Sequence, residues 1–407
     1  MIIRLQLLLL LCVPAVAQGQ PLFEPAKLEI LTQAMDQTFQ LEHQKAIALC
    51  QDYIKRWPQD AAGYAYLARV YWSEEIATRQ LLTLDRFADD DFFSDSSPFK
   101  VAVQPAMEQR FRSASEEALQ KGKAQVRANP RDRAARYALG VAYQNLASFE
   151  AALKTNWWQA MRNGDQALKY HSELVAAQPS VADAHVTTGI YQYAVGSVPW
   201  KVRWLSILLG YHGDKDTGIR ELQLAANQGV LASADAHLML VLLHTLDNQF
   251  DAAFMHLETL HKKYPRNYLL EMEMGATSAR RGRPAEAEAI YQNILRQVQS
   301  SQNGYERLGA ATVFNQLGAV ARDAHHLDIA ERWLRRAIAD ATASTRAKTI
   351  ARLELGKTLD LLGRRQDALD LYVTVRAAED FAGSRREAQR LMKKPFTEKS
   401  GTLRPGN

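Results

Sequence analysis

The chain has 407 residues, 47% hydrophobic and 23% charged, with a formal net charge of +5. This is an ordinary globular composition with ample material for a core, and so mild a basicity gives no reason to expect a nucleic-acid partner. With only two cysteines, Cys12 and Cys50, a disulfide framework is excluded as the source of stability.

The N-terminus reads Met1-Ile2-Ile3-Arg4, then an apolar run from Leu5 to Val16, then Ala15-Val16-Ala17 before Gln18. A basic start, a short apolar run and an A-x-A site describe a cleavable secretory signal over residues 1–17. The run is too short to span a bilayer, and no later stretch is long enough. Leu11 precedes Cys12 where a lipid anchor would need a small residue. Cleavage leaves Cys50 alone, in the stripe Ile47, Cys50, Ile54, where it reads as a small buried hydrophobe. The mature chain, at formal charge +4 after loss of Arg4, is expected in the periplasm or outside the cell.

The rest reads as helical hairpins, irregular over residues 18–194. A first helix starts at Pro25, and a second runs from Glu42 to Trp57 before Pro58, with the small Ala46 where two helices approach. Tyr64, Leu67-Ala68 and Tyr71 open a second unit whose helix meets no breaker from Ala61 to Phe87. The acidic loop Ala88–Phe99 follows, and Pro105 opens a partner helix ending at Asn129-Pro130. The third unit carries Tyr137, Leu139-Gly140 and Tyr143 on a helix expected to continue to Met161. There Asn163-Gly164 should break it and Asp165 cap the next helix, which holds Ala167 and ends at Pro179. The fourth unit starts at Ala182 and departs from the pattern at Gly196. Residues 195–213 form an insert, and Asp214–Gln228 supplies the delayed second helix.

Residues 214–394 are regular, and Ala234–Pro265 is their ruler: two amphipathic patterns across the turn Asp247-Asn248-Gln249, closed by a proline. Thirty-four residues on, Met274-Gly275 stands where Leu240-Val241 stood, Ala287 where Ala253 stood and Tyr291 where Leu257 stood. Leu317-Gly318 with Ala330 and Leu334 give a seventh unit, and Leu355-Gly356 with Ala368 and Tyr372 an eighth. Residues 385–393 read as a short cationic closing helix and 395–407 as a flexible tail.

A helix–turn–helix period of 34 is the mark of a solenoid whose units cannot bury their apolar faces alone. These residues resemble tetratricopeptide repeats over most of the mature chain. The resemblance implies an all-α fold, an α-α superhelix of about eight helical hairpins, with long helices and an inserted helix in the N-terminal half. It also implies a concave face lined by set positions of each first helix. Carried onto this chain, those positions include Tyr137, Ile190, Tyr193, Leu238, Leu242, Met272, Arg322 and Lys357. The groove is then apolar in its middle and polar at its C-terminal end. The Lys/Asn clamp by which some of these proteins hold a peptide carboxylate is not assembled, since Asn315 stands alone. A fainter likeness, to the inclusion-clearance family of such proteins found with mitochondria and lipid bodies, rests on Leu208-Leu209-Gly210, Gly213-Asp214, Gly218 and Leu222 and implies no chemistry.

No residues gather into a recognisable reaction centre. His237 and His244 share a helix face but lack the i, i+4 spacing of helical zinc ligands, and read as core or inter-helix hydrogen-bonding groups. His325-His326 sits in a turn. Asp89, Asp90, Asp91 and Asp95 lack the central Gly and closing Glu of a calcium loop, so Ala88–Phe99 reads as structural. There is no G-x-S-x-G, Walker loop or dinucleotide fingerprint. In the insert, Trp200, Trp204 and Leu208 lie at helical spacing with Lys201 and Arg203 between them. That pattern suits a helix packed into the solenoid, and secondarily one lying in a membrane interface. The reading is a non-catalytic exported scaffold, with no cofactor or metal, that binds a helical, apolar protein segment or its own insert. The alternative is an envelope protein using residues 195–213 at a membrane.

Overall fold

The computed structural model describes residues 21–78, 103–197, 212–301, 304–381 and 383–397. Among them lie seventeen α-helices and no strand. They are α1 (Pro25–Phe39), α2 (His43–Arg56), α3 (Ala61–Thr78), α4 (Pro105–Ala128), α5 (Arg133–Phe149), α6 (Trp157–Ala177), α7 (His185–Gly196), α8 (Lys215–Gln228) and α9 (Ser233–Leu246). After these come α10 (Phe250–Lys263), α11 (Tyr268–Arg280), α12 (Pro284–Gln299), α13 (Ala310–Asp323), α14 (Leu327–Ala339), α15 (Thr345–Leu361), α16 (Arg365–Ala377) and α17 (Ser384–Lys393). Each packs on the next, giving eight hairpins and a closing helix. The secretory signal, the acidic loop and insert residues Trp200, Trp204 and Leu208 lie outside the described residues.

Local signals start these helices where they stand. Proline opens α1, α4 and α12, where its missing N–H would have had no partner. Asp132, Asp214 and Ser344 cap α5, α8 and α15 by accepting from the backbone N–H three residues on. Five units make the same turn between their two helices. Leu41, Asn248, Gly282, His325 and Gly363 each adopt a left-handed conformation, with φ between 58° and 75°. The N–H of each donates to the carbonyl three residues back, and the next N–H reaches back five, as in Glu42 to Gln37 and Arg283 to Ser278. Unit three makes a different turn, through Glu150–Lys154, and the turns of units two and four lie outside the described residues.

The third unit corrects the expected break at Asn163-Gly164. Helix α5 ends at Phe149, Glu150–Lys154 form one wide π-turn, and Thr155 is left-handed. Asn156 then caps α6, which runs through residues 163 and 164 without interruption. Asn156 stands before the helical run and offers its side chain to the N–H of Gln159, so it is the better start signal. Asn163 is merely a buried position inside the helix.

Within a unit, the first helix presents a small residue to a large one on the second. A Cβ on Gly275 would sit 2.5 Å from Cζ of Tyr291, and one on Gly140 would overlap the His171 ring. Leu334 lies against Gly318, and Tyr372 against Gly356, in the same way. Each large partner is buried. Substituting Gly275 by Ala is expected to destabilise the protein by about 1–3 kcal/mol through overpacking. Gly164→Ala, where nothing lies within 4 Å of the added carbon, is expected to stabilise it by about 0.5–1 kcal/mol through helix propensity. Urea unfolding of the two variants checks the opposite signs.

Candidate functional site

The first helices α3 and α5 are rich in small residues: Ala61, Ala62, Gly63, Ala65 and Ala68 on one, Ala134, Ala135, Ala138, Gly140 and Ala142 on the other. Small residues let the two axes approach closely and tighten the curvature. The hydroxyls of Tyr66 and Tyr137 meet at 3.2 Å between these helices, and Asn145 donates across them to the carbonyl of Ala65 at 2.8 Å. Further round the coil, Arg69 of α3 pairs with Asp235 of α9. First helices of units two and five thus touch directly across the interior.

That tightness changes the expected open groove. Tyr137 is 1% exposed, Tyr193 6% and Arg322 8%, so these three serve the interior rather than a free surface. Tyr137 packs edge-on against Phe23 and face-on against His171. The Tyr193 hydroxyl donates to Asp247 at 2.9 Å. Ile190, Leu238, Leu242, Met272 and Lys357 are half-buried. Ile190, Leu238 and Met272 rest against apolar clusters within the coil, while Leu242 is grouped with none of them. Asn315 donates its amide nitrogen to the carbonyl of Ala347 on the next unit.

Arg322 and Lys357 do come together. Both pair with Glu354, and the ring of Phe396 from the C-terminal segment lies 5.5 Å from the Arg322 guanidinium and 5.7 Å from the Lys357 ammonium. Burial alone would raise the Glu354 carboxyl; the charges and hydrogen bonds of Lys357 and Arg322 outweigh it and hold the group down to about 2. The polar end expected from sequence is present, and it is satisfied internally.

Sequence reasoning missed the closure of the coil. The turn between α1 and α2 meets the turn between α10 and α11, some 228 residues away. The rings of Phe39 and Tyr264 stack at 5.2 Å. The Tyr264 hydroxyl donates to Asp36 at 2.9 Å, and Asn267 donates to the Phe39 carbonyl at 2.8 Å. Arg266 and Arg307 reach Glu42, and Arg307 also donates to the Leu41 carbonyl. One sequence signal pointed to it. A leucine stands at position 41, where two regular units place glycine, and a left-handed leucine needs something beyond its own helix to hold it.

The histidines of α9 and α10 meet between the two helices. His237 Nδ1 on α9 lies 2.9 Å from His256 Nδ1 on α10, and His244 stacks on His256. Burial, then the two neighbouring rings, pushes His256 down to about 4. Among the described residues, no group of three or more His, Cys, Asp or Glu side chains is placed to hold a metal ion, and no helix is long and apolar enough to cross a membrane. A cavity of about 370 Å³ lies beside His244, lined by Lys215, Asp216, Ile219, Arg220, Asp247 and Gln249.

Comparison with known proteins places residues 268–343 in the tetratricopeptide repeat family model. No curated protein sequence matches the chain. Among solved structures, yeast Tom70 is similar at 10% identity and a TM-score of 0.37, over 86% of this chain and 85% of that one. Human IFIT1, as a dimer with PPP-AAAA, is similar at 11% identity and a TM-score of 0.40, over 93% of this chain and 88% of that one.

His171 supplies a test of the interior. It lies 3.1 Å from the Tyr137 carbonyl and 2.7 Å from the Thr187 hydroxyl, and burial lowers it from 6.5 to about 4. A folded pKa below the unfolded one means stability is full above pH 6.5 and is lost as pH falls toward 4. The loss expected from protonating this ring is up to ~3 kcal/mol. Thermal melts from pH 7 to pH 4 should show the decline, and His171→Gln should make it shallower by one ring's share, since His256 and His43 are lowered to about 4 as well.

Proposed function

We propose that this tetratricopeptide-repeat solenoid is an exported scaffold that binds a helical, apolar segment of another protein. Tetratricopeptide repeats support protein interaction as the general role. The observation that carries the finer reading is the half-buried apolar set Ile190, Leu238, Leu242 and Met272 on α7, α9 and α11. Three consecutive units present it, and Leu242 has no place in the apolar clusters of the coil. Such a set matches the i, i+3, i+4 anchors of a partner helix lying in a groove. Binding on this face is restricted to units four to six, because the side chains of α3 and α5 fill the coil in units two and three.

Export rests on residues 1–17, whose basic start, apolar run and A-x-A site suit a cleaved secretory signal. The mature chain is then expected to begin at Gln18, which mass spectrometry of the protein recovered from its source measures; an intact Met1 in that material removes the exported reading.

A photoactivatable phenylalanine analogue at position 242 tests the binding face. Irradiation in the producing cells is expected to give one discrete adduct from position 242. Position 373 on α16, where Val373 is 44% exposed, serves as the control and should give none. Equal labelling at both positions, or none at either, removes the groove reading.

A further inference from the structure

The closure between unit one and units five to seven is built like a recognition site. Four kinds of contact converge on one helix end. The aromatic ring of Phe39 in the last turn of α1 stacks on Tyr264. Asn267 and Arg307 donate to the backbone carbonyls of Phe39 and Leu41, which no further helical turn can use. Gln40 is read in both directions, its amide oxygen accepting from the N–H of Arg266 at 3.2 Å and its nitrogen 3.5 Å from the Lys263 carbonyl. Glu42, just beyond the turn, meets Arg266 at 2.6 Å and Arg307 at 3.7 Å, while Asp36 meets Lys263 at 3.4 Å and accepts from Tyr264.

The charges are sorted by side. Unit one brings the carboxylates Asp36 and Glu42, and units five to seven bring the cations Lys263, Arg266 and Arg307. The cations stay half-exposed, and exposed ion pairs add little each and weaken with salt. Leu41 is buried but left-handed, a conformation that costs energy in an isolated helix end. Unit one is thus held by apolar anchors under a screenable rim.

We propose that the cradle of Tyr264, Arg266, Asn267 and Arg307 is a docking surface for the C-terminal end of an acidic helix, occupied in the free protein by α1 and open to a partner protein's helix of the same chemistry. The partner helix ends in an aromatic residue and carries a carboxylate within three residues after it. This surface lies on the edge of units five to seven, where Leu238 and Met272 of the apolar face pack against the same clusters as Phe39, Tyr264 and Leu41. It rests on its own contacts and stands whether or not that face binds anything.

The test uses the full chain with Asp36→Arg and Glu42→Arg together, and a fluorescein-labelled synthetic peptide of residues 24–45 as the probe. Small-angle scattering should show a larger radius of gyration for the double variant at unchanged helical circular dichroism. The peptide should bind that variant at least tenfold more tightly than wild type, and more weakly as salt rises. Adding Arg266→Glu and Arg307→Glu should abolish the binding. If the arginine substitutions reduce helicity, Asp36→Asn with Glu42→Gln takes the same measurements. A double variant as compact as wild type that binds no peptide overturns the proposal, as does binding indifferent to Arg266 and Arg307. Light scattering that shows the opened variant as a dimer assigns the cradle to a second copy of the chain and overturns the partner helix.

Discussion

The separation between paired helices is the dimension on which everything else in this structure depends. Where Gly275 faces Tyr291 and Gly356 faces Tyr372, a large ring lies directly on a neighbouring backbone. That contact fixes how each hairpin closes, and the repetition of one closure fixes how hairpins stack. On α3 and α5 small residues are dense, and the Tyr66 and Tyr137 hydroxyls meet between the two helices. The stacking carries unit one round to units five to seven. A rule of packing between two helices thereby becomes the shape of the whole chain.

Much of that rule could be read directly. Gly275 and Gly356, thirty-four residues or a little more from their counterparts, declare the close approach in the sequence itself, as do Ala253, Ala287, Ala330 and Ala368 on the second helices. The period survives in sequence because each unit must solve the same local problem with the same residue sizes. Unit three shows where such reading fails. Asn163-Gly164 looks like a breaker, yet a helix tolerates both when capping and packing elsewhere fix its ends, and Asn156 supplies the cap seven residues earlier. Local propensity gave way to tertiary context.

The binding face was less legible, for a different reason. Positions such as Tyr137 and Arg322 belong to the inner side of a first helix, and periodicity reports that side faithfully. Whether the inner side meets water is a matter of curvature, and curvature is a sum over many helix pairs. Tyr137 ends up against Phe23 and His171, and Arg322 against Glu354. Nothing in the local pattern of Glu42 or Arg307 says that they meet, because the pairing is set by how far five units turn.

A solenoid ordinarily folds as a row of neighbours, in which each unit needs only the ones beside it and an end can fray without consequence for the middle. The stack of Phe39 on Tyr264 breaks that independence by joining residues more than two hundred positions apart. The first hairpin completes its environment only when the sixth has begun to form. Such long-range contacts slow folding, because the loop they close must be ordered before they contribute anything. A chain emerging N-terminus first therefore holds its opening hairpin unfinished until most of the protein has been made.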